Sequence, residues 1–414
     1  MWYAPCRRPV PVRPLLTPTA QTGASLFRSF FQAGFECSSH RRRGRNGPGG
    51  RLGRRLDLVA ATGHAAFAAA DYCRCAAVGL RTVRDGVRWH LAEPSPGRFD
   101  FSAELPRLRA ARDAGVQVVW DVCHYGWPDD VDPFAPTFPE RLARFARAFA
   151  AVVAGEGEGD DVPWYCPVNE ISFLAWGGGD VACLNPYARR RGPELKRNLV
   201  RAAVAAIEAV REVDPRARFL HADPLIHVVP DPARPGTRQA AARHRRVQYE
   251  AWDMLAGRLA PELGGRPDYL DVVGVNFYCH NQWAHGGAMI PRGDPRYRPF
   301  REMLAEAHAR YERPLVVAET GIEGPARAEW LGYVAGEVAE ARAAGVPIEG
   351  VCWYPVLDYP GWADDRHCPT GLWGYADAGG GRPVDRALLD ELRRQQRLAC
   401  APPPAAEGMA SGAR

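Results

Sequence analysis

Three times in this 414-residue chain a helical stretch ends in glycine and passes at once into a short apolar run. Gly79 precedes residues 80–89, Gly115 precedes residues 116–122, and Gly345 precedes residues 346–354. Glycine enters the left-handed conformation that closes a helix because it has no Cβ to clash. The β-branched run behind each glycine reads as a buried strand. Helix, glycine and strand in repetition is the pattern of an alternating α/β protein. Extending it predicts eight strands, near residues 31–38, 82–89, 116–122, 164–169, 218–222, 272–278, 315–319 and 350–354. The intervening helices carry apolar residues at helical spacing. Leu142, Phe145, Phe149 and Val153 share one face, and Trp330, Val334, Val338 and Ala341 another. The strands are apolar with little alternation, as in a parallel sheet covered by helices. An open doubly wound sheet would carry a Gly-rich phosphate turn after its first strand, and the sequence has none. The expected fold is therefore α/β, a closed (β/α)8 TIM barrel over residues 29–399. A disordered Pro/Arg-rich arm is expected over residues 1–28 and a disordered tail over residues 400–414. Such barrels commonly run past 250 residues as one domain, so the length needs no second one.

Composition narrows the partners. The chain is 46% hydrophobic and 24% charged, which suits a soluble globular protein. No apolar run is long enough to span a bilayer, so no membrane partner is expected. The net charge is only +5, and Lys196 is the only lysine. Arginines are interspersed with acids, apart from Arg41, Arg42, Arg43 and Arg45 in a Gly-rich stretch. Nucleic-acid binding would need basic residues organised along one helix or groove, so no nucleic-acid partner is expected. The eleven cysteines lack the spacing of a disulfide framework. Cys73 and Cys75, two apart on a helix, point in different directions, which suits neither zinc nor a disulfide. Reduced thiols, with no apolar secretory segment in the first 28 residues, predict a cytoplasmic location. The sequence leaves the oligomeric state open.

In such a barrel the chemistry sits where the strands end, at their C-terminal mouths. The polar residues there are His40 and Arg41, Arg84 and Arg88, His124, Asn169 with Glu170, Asp223, Asn276 with Tyr278, Glu319, and Tyr354 with Asp358. No HxH or HxxxH pair stands at a strand end, so neither a metal nor another cofactor is expected. A carboxylate closing an apolar strand is costly unless it has a task. Cleavage of a glycosidic bond needs two carboxyl groups, about 5 Å apart for retention and further apart for inversion. Aromatic faces stack on sugar rings, and Asn, His and Arg hold hydroxyls. The expected ligand is a small-molecule or oligosaccharide substrate.

Two motifs sharpen this. WYCPVNE at residues 164–170 and VVAETG at residues 316–321 resemble the strand-4 and strand-7 motifs of the retaining barrel glycosidases. The match is closer to the β-glucosidase family, glycoside hydrolase family 1, and runs from about residue 31 to 375. Residues 84–89 followed by Glu93-Pro94 and Gly97-Arg98-Phe99-Asp100 resemble its second strand and the tail behind it. His124-Tyr125 stands at its His-Trp, and Val275-Asn276-Phe277-Tyr278 at its Asn-x-Tyr strand 6. Leu357-Asp358 through Trp362, then Gly371-Leu372, follow its last strand.

The resemblance implies a retaining β-glycosidase with Glu170 as acid/base and Glu319 as nucleophile. It implies that Arg84 hydrogen-bonds the nucleophile, that His124 and Asn169 hold sugar hydroxyls, and that Tyr278 steadies Glu319. Tyr354 would replace a stacking tryptophan, and Asn276 and Trp362 would complete the substrate site. Two departures stand out. His40-Arg41 occupies the place of a family glutamine, and Gly361 that of a sugar-gripping glutamate. Arg41 therefore raises the expectation of an anionic or modified sugar. The alternatives are a non-catalytic carbohydrate-binding barrel or accessory domain, and an endo-glycanase or transglycosylase of the same clan.

Overall fold

The computed structural model describes residues 25–44, 53–157 and 161–400. The expected arm up to residue 24 and the tail from residue 401 lie outside these. Eight parallel strands, β1 (Phe31–Gly34), β2 (Thr82–Gly86), β3 (Gln117–Asp121), β4 (Trp164–Cys166), β5 (Arg218–Pro224), β6 (Val272–Asn276), β7 (Leu315–Thr320) and β8 (Ile348–Trp353), pair in chain order. β8 pairs with β1, Ala33 opposite Trp353, and the ring closes as a barrel.

The glycine pattern is what punctuates this ring. Gly79, Gly115 and Gly345 have φ of 81°, 67° and 91°. After each, the next amide reaches back five residues: Leu80 N to Cys75 O at 2.9 Å, Val116 N to Ala111 O at 2.9 Å, Val346 N to Ala341 O at 3.0 Å. Each bond satisfies a carbonyl at the helix end and aims the chain into the next strand. Helix Phe138–Glu156 buries Leu142, Phe145 and Phe149, and helix Arg327–Ala343 buries Trp330, Val334, Val338 and Ala341.

Several strands stop earlier than their apolar runs. β1 ends at Gly34, not near residue 38, and β4 at Cys166, not at residue 169. The chain stays buried past those points, but its amides bond outside the ladder. Ser39 N donates to His124 O at 3.3 Å, Asn169 N to Cys123 O at 3.0 Å, and Glu170 N to Ala222 O at 3.0 Å. These crossings lay the segments after β1 and β4 over the barrel mouth.

The interior of the ring is filled by Val119, Trp164, Cys166, Leu220, Ala222, Val272, Val316 and Ala318. Phe27 joins this cluster ahead of β1, its ring 4.7 Å from that of Trp164. Leu26 and Phe27, assigned from sequence to the arm, thus contribute to the barrel core. Along β2 the side chains alternate as pleating requires. Arg84 points inward, whereas Asp85 meets His64, Tyr72 and Arg107 outside the ring. Among the described residues no helix is long and apolar enough to cross a membrane.

Candidate active site

A cavity of about 1220 Å³ opens where the strands end, and Glu170, Glu319, Tyr125, Tyr278 and Glu36 are among the side chains that line it. Glu319 is the penultimate residue of β7. Arg84, on β2, donates to its Oε1 at 2.9 Å, and the Tyr278 hydroxyl donates to its Oε2 at 2.9 Å. The same guanidinium donates to Asp121 at 2.7 Å, to the Asn169 amide oxygen at 2.8 Å and to Ala318 O at 3.0 Å. Arg84 is only 1% exposed, so these charge-assisted bonds act away from bulk water.

Glu170 follows β4 with φ 47°, a left-handed backbone that costs about 1–2 kcal/mol for a residue with a Cβ. Strain of this kind collects at functional sites, where surrounding structure holds it. Tyr125, also left-handed at φ 58°, donates its hydroxyl to Glu170 Oε2. Asn276 donates to Oε1 at 2.8 Å, and in the β6–β7 register Asn276 lies directly beside Glu319. One amide therefore spans from the neighbour of one carboxyl to the other. Burial first, and the charge of Glu319 second, push the Glu170 carboxyl well above the usual range. The bonds from Tyr125 and Asn276 pull in the other direction without cancelling the shift. Behind Glu170, burial raises Asp223 to about 7, while both its oxygens accept the Ser172 amide.

His124 lines the cavity, and both its ring nitrogens meet protein groups: Nδ1 lies 3.1 Å from Asp121 and Nε2 accepts the Asn169 amide at 3.0 Å. Because Arg84 holds the Asn169 oxygen, the Asn169 nitrogen is left to face the imidazole. Cys37 lies 3.1 Å from His124 Nδ1, so Cys37, Asp121 and His124 converge closely enough to be weighed as metal ligands. The donor set argues otherwise. Asp121 is already bound by the Arg84 guanidinium, and the other ring nitrogen of His124 by the Asn169 amide, so these groups are committed to protein partners. The trio is a hydrogen-bonded brace for His124.

Tyr354 and Trp362 line the cavity as well. The Tyr354 ring lies against Gly34, where a Cβ would come within 2.1 Å of its Cδ2, so only glycine permits that position. It stacks on His124 at 6.2 Å and takes the Arg84 guanidinium over its face at 5.5 Å. Trp353 turns away and donates to Thr370 O.

Arg41 is the correction to the sequence reading. It does not line the cavity; both ends of its guanidinium are bound by Asp129, which Arg55 also engages. His40 is likewise withdrawn, buried beside the Trp362 ring, and burial lowers it to about 4. Beside Gly361 the space is taken by Asp364, whose Oδ1 would lie 2.4 Å from an added Cβ. Three residues with direct bearing on the site escaped the sequence reading: Tyr125, Asp121 and Glu36. The signal for Tyr125 was present in the His-Tyr pair. That for Glu36 was hidden by the overlong first strand.

No protein-family model and no curated protein sequence matches the chain. Solved structures do. A β-glucosidase from Thermotoga maritima in complex with glucoimidazole matches with TM-score 0.68 at 15% identity, over 81% of this chain and 88% of that one. The family 1 β-glucosidase from the same organism matches with TM-score 0.68 at 16% identity, over 81% and 87%. Its complex with cyclophellitol matches with TM-score 0.66 at 15% identity, over 82% and 87%. At such identity the likeness concerns architecture, and in architecture this chain resembles the family 1 β-glucosidases, sharing their closed (β/α)8 barrel.

Proposed function

We propose that this protein is a retaining β-glycosidase in which Glu319 is the nucleophile and Glu170 the general acid/base. The observation that carries the reading is the pair of buried carboxyls in one cavity with opposite surroundings. Glu319 faces a guanidinium and a phenol hydroxyl, whereas Glu170 sits where burial favours its protonated form. That division lets one attack an anomeric carbon while the other protonates the leaving oxygen. Once the glycosyl-enzyme has formed and the aglycone has left, Glu170 takes a proton from water, and water attacks the same carbon. Two inversions at that carbon give net retention. Tyr278 and Arg84 keep the Glu319 carboxylate aimed, and Asn276 and Tyr125 keep Glu170 aimed.

The roles implied for the remaining side chains fit this arrangement. Tyr354 and Trp362 offer aromatic faces to a sugar ring, and His124, held from behind by the buried Asn169 amide, adds a polar group beside them. A cavity above the usual range of about 300–1,000 Å³ leaves room for an aglycone beyond the reacting sugar. Trp176 and Trp283 also line the cavity, which suits an apolar or aromatic aglycone. The cysteines, unpaired among the described residues, fit a reducing compartment such as the cytoplasm.

The test is turnover of 4-nitrophenyl β-glycosides by wild type and by Glu319→Gln. Wild type is expected to release nitrophenol and the variant to lose about 10⁴-fold or more in kcat, as when a group acting within a unit is removed. Proton NMR of the first sugar released should show the β anomer. Absence of turnover across the glycoside panel, or an α anomer, would sink the reading and favour a binding barrel or an inverting enzyme.

A further inference from the structure

Glu36 has no part in the chemistry above, yet it lines the same cavity and is only 4% exposed. It stands two residues beyond β1, where the chain leaves the ladder and crosses the barrel mouth. One carboxyl oxygen accepts the Ser38 amide at 3.0 Å. Among the described residues no arginine, lysine or histidine forms an ion pair with it; His124 is the one cation-forming side chain whose charge bears on it appreciably. A buried carboxyl left without a cation is costly, so its retention in a binding cavity points to a ligand that compensates it.

From this we infer that Glu36 is a sugar-binding carboxylate that selects uncharged, hydroxyl-bearing glycones and rejects anionic ones such as uronic acids. The inference rests on the glycosidase reading and adds the substrate class. A carboxylate accepts hydrogen bonds from hydroxyls but has none to give to another carboxylate. Nearby cations are committed elsewhere. Arg84 is shared by Glu319, Asp121 and Asn169, and Lys196 is paired with Glu250 at 2.7 Å. Arg243 does line the cavity, but it comes from the segment following β5, the strand opposite β1 in the eight-strand ring. Arg41, the residue that would have welcomed an anionic sugar, is bound to Asp129. Burial, opposed in part by His124 and the Ser38 hydrogen bond and helped slightly by Glu319, raises the Glu36 carboxyl above its ordinary range.

The experiment compares 4-nitrophenyl β-glucoside and β-galactoside with the β-glucuronide, for wild type and Glu36→Gln. Wild type should favour the better uncharged substrate over the glucuronide by about 100-fold or more in kcat/KM, the scale of a like-charge clash of several kcal/mol. Glu36→Gln should narrow that ratio by about tenfold or more, by weakening the uncharged substrate and relieving the repulsion of the charged one. Equal turnover of the glucuronide by wild type, or an unchanged ratio in the variant, overturns the inference. A second measurement does not depend on hydrolysis: calorimetric binding of methyl β-glucoside and methyl β-glucuronide to Glu319→Gln, with and without Glu36→Gln. Loss of the preference on adding Glu36→Gln upholds the role of Glu36 even if no glycoside is hydrolysed. Failure of Glu319→Gln to prefer the uncharged sugar overturns it.

Discussion

Tyr125 and Glu170 are both held in the left-handed region, and the hydroxyl of one donates to the carboxyl of the other. Each unfavourable backbone thus positions one end of the same hydrogen bond. A hydroxyl donor favours the ionised carboxyl, so it works against the burial that raises the Glu170 carboxyl. Removing it in Tyr125→Phe should raise the Glu170 carboxyl further. In the proposed role Glu170 must carry its proton, so kcat/KM falls as pH rises through that value and the alkaline limb of the profile should move to higher pH. A pH–rate profile of wild type and variant checks this, and a limb displaced to lower pH would contradict the assignment of Glu170. At this scale the sequence was legible wherever a short motif sat at a strand end. Asn169, Glu170, Asn276 and Glu319 could be picked out because a polar group following an apolar strand is conspicuous. Arg41 and Glu36 were not, for one shared reason. The apolar run through Phe35 made β1 look longer than it is, so the strand end was sought at His40 and Arg41, several residues beyond Glu36.

The elements were easier to read, since the helix–glycine–strand junction is written in local sequence. What local sequence cannot carry is the point at which a strand loses its neighbour. β4 is three residues long because Asn169 and Glu170 find carbonyl partners on the segments after β3 and within β5, contacts made only once the ring has formed. The junctions themselves permit a clean test. Gly345 has φ 91°, and an added Cβ would meet nothing within 4 Å. Gly345→Ala should therefore lose only the conformational term, about 1–2 kcal/mol, visible as a lower denaturant midpoint with an unchanged slope. A neutral result would mean that the cap relaxes at no cost.

On the scale of the molecule, the two ends of the barrel do different work. The mouth gathers charge, and the opposite end is sealed by an aromatic contact between Phe27 and Trp164. Phe27→Ala should destabilise the fold by about 3 kcal/mol, as for other buried phenylalanines, measured by chemical unfolding. An effect below about 1 kcal/mol would mean that the interior repacks around the loss.

The guanidinium of Arg84 reaches a carboxyl 235 residues further along the chain, and that span carries a consequence for how the protein comes to exist. Glu170 belongs to the first half of the ring and Glu319 to the second. During synthesis Glu170 leaves the ribosome long before Glu319, and neither half-barrel holds both carboxyls. The activity proposed for these two carboxyls should therefore emerge abruptly, when the last stave docks on the first, with no partial activity along the way.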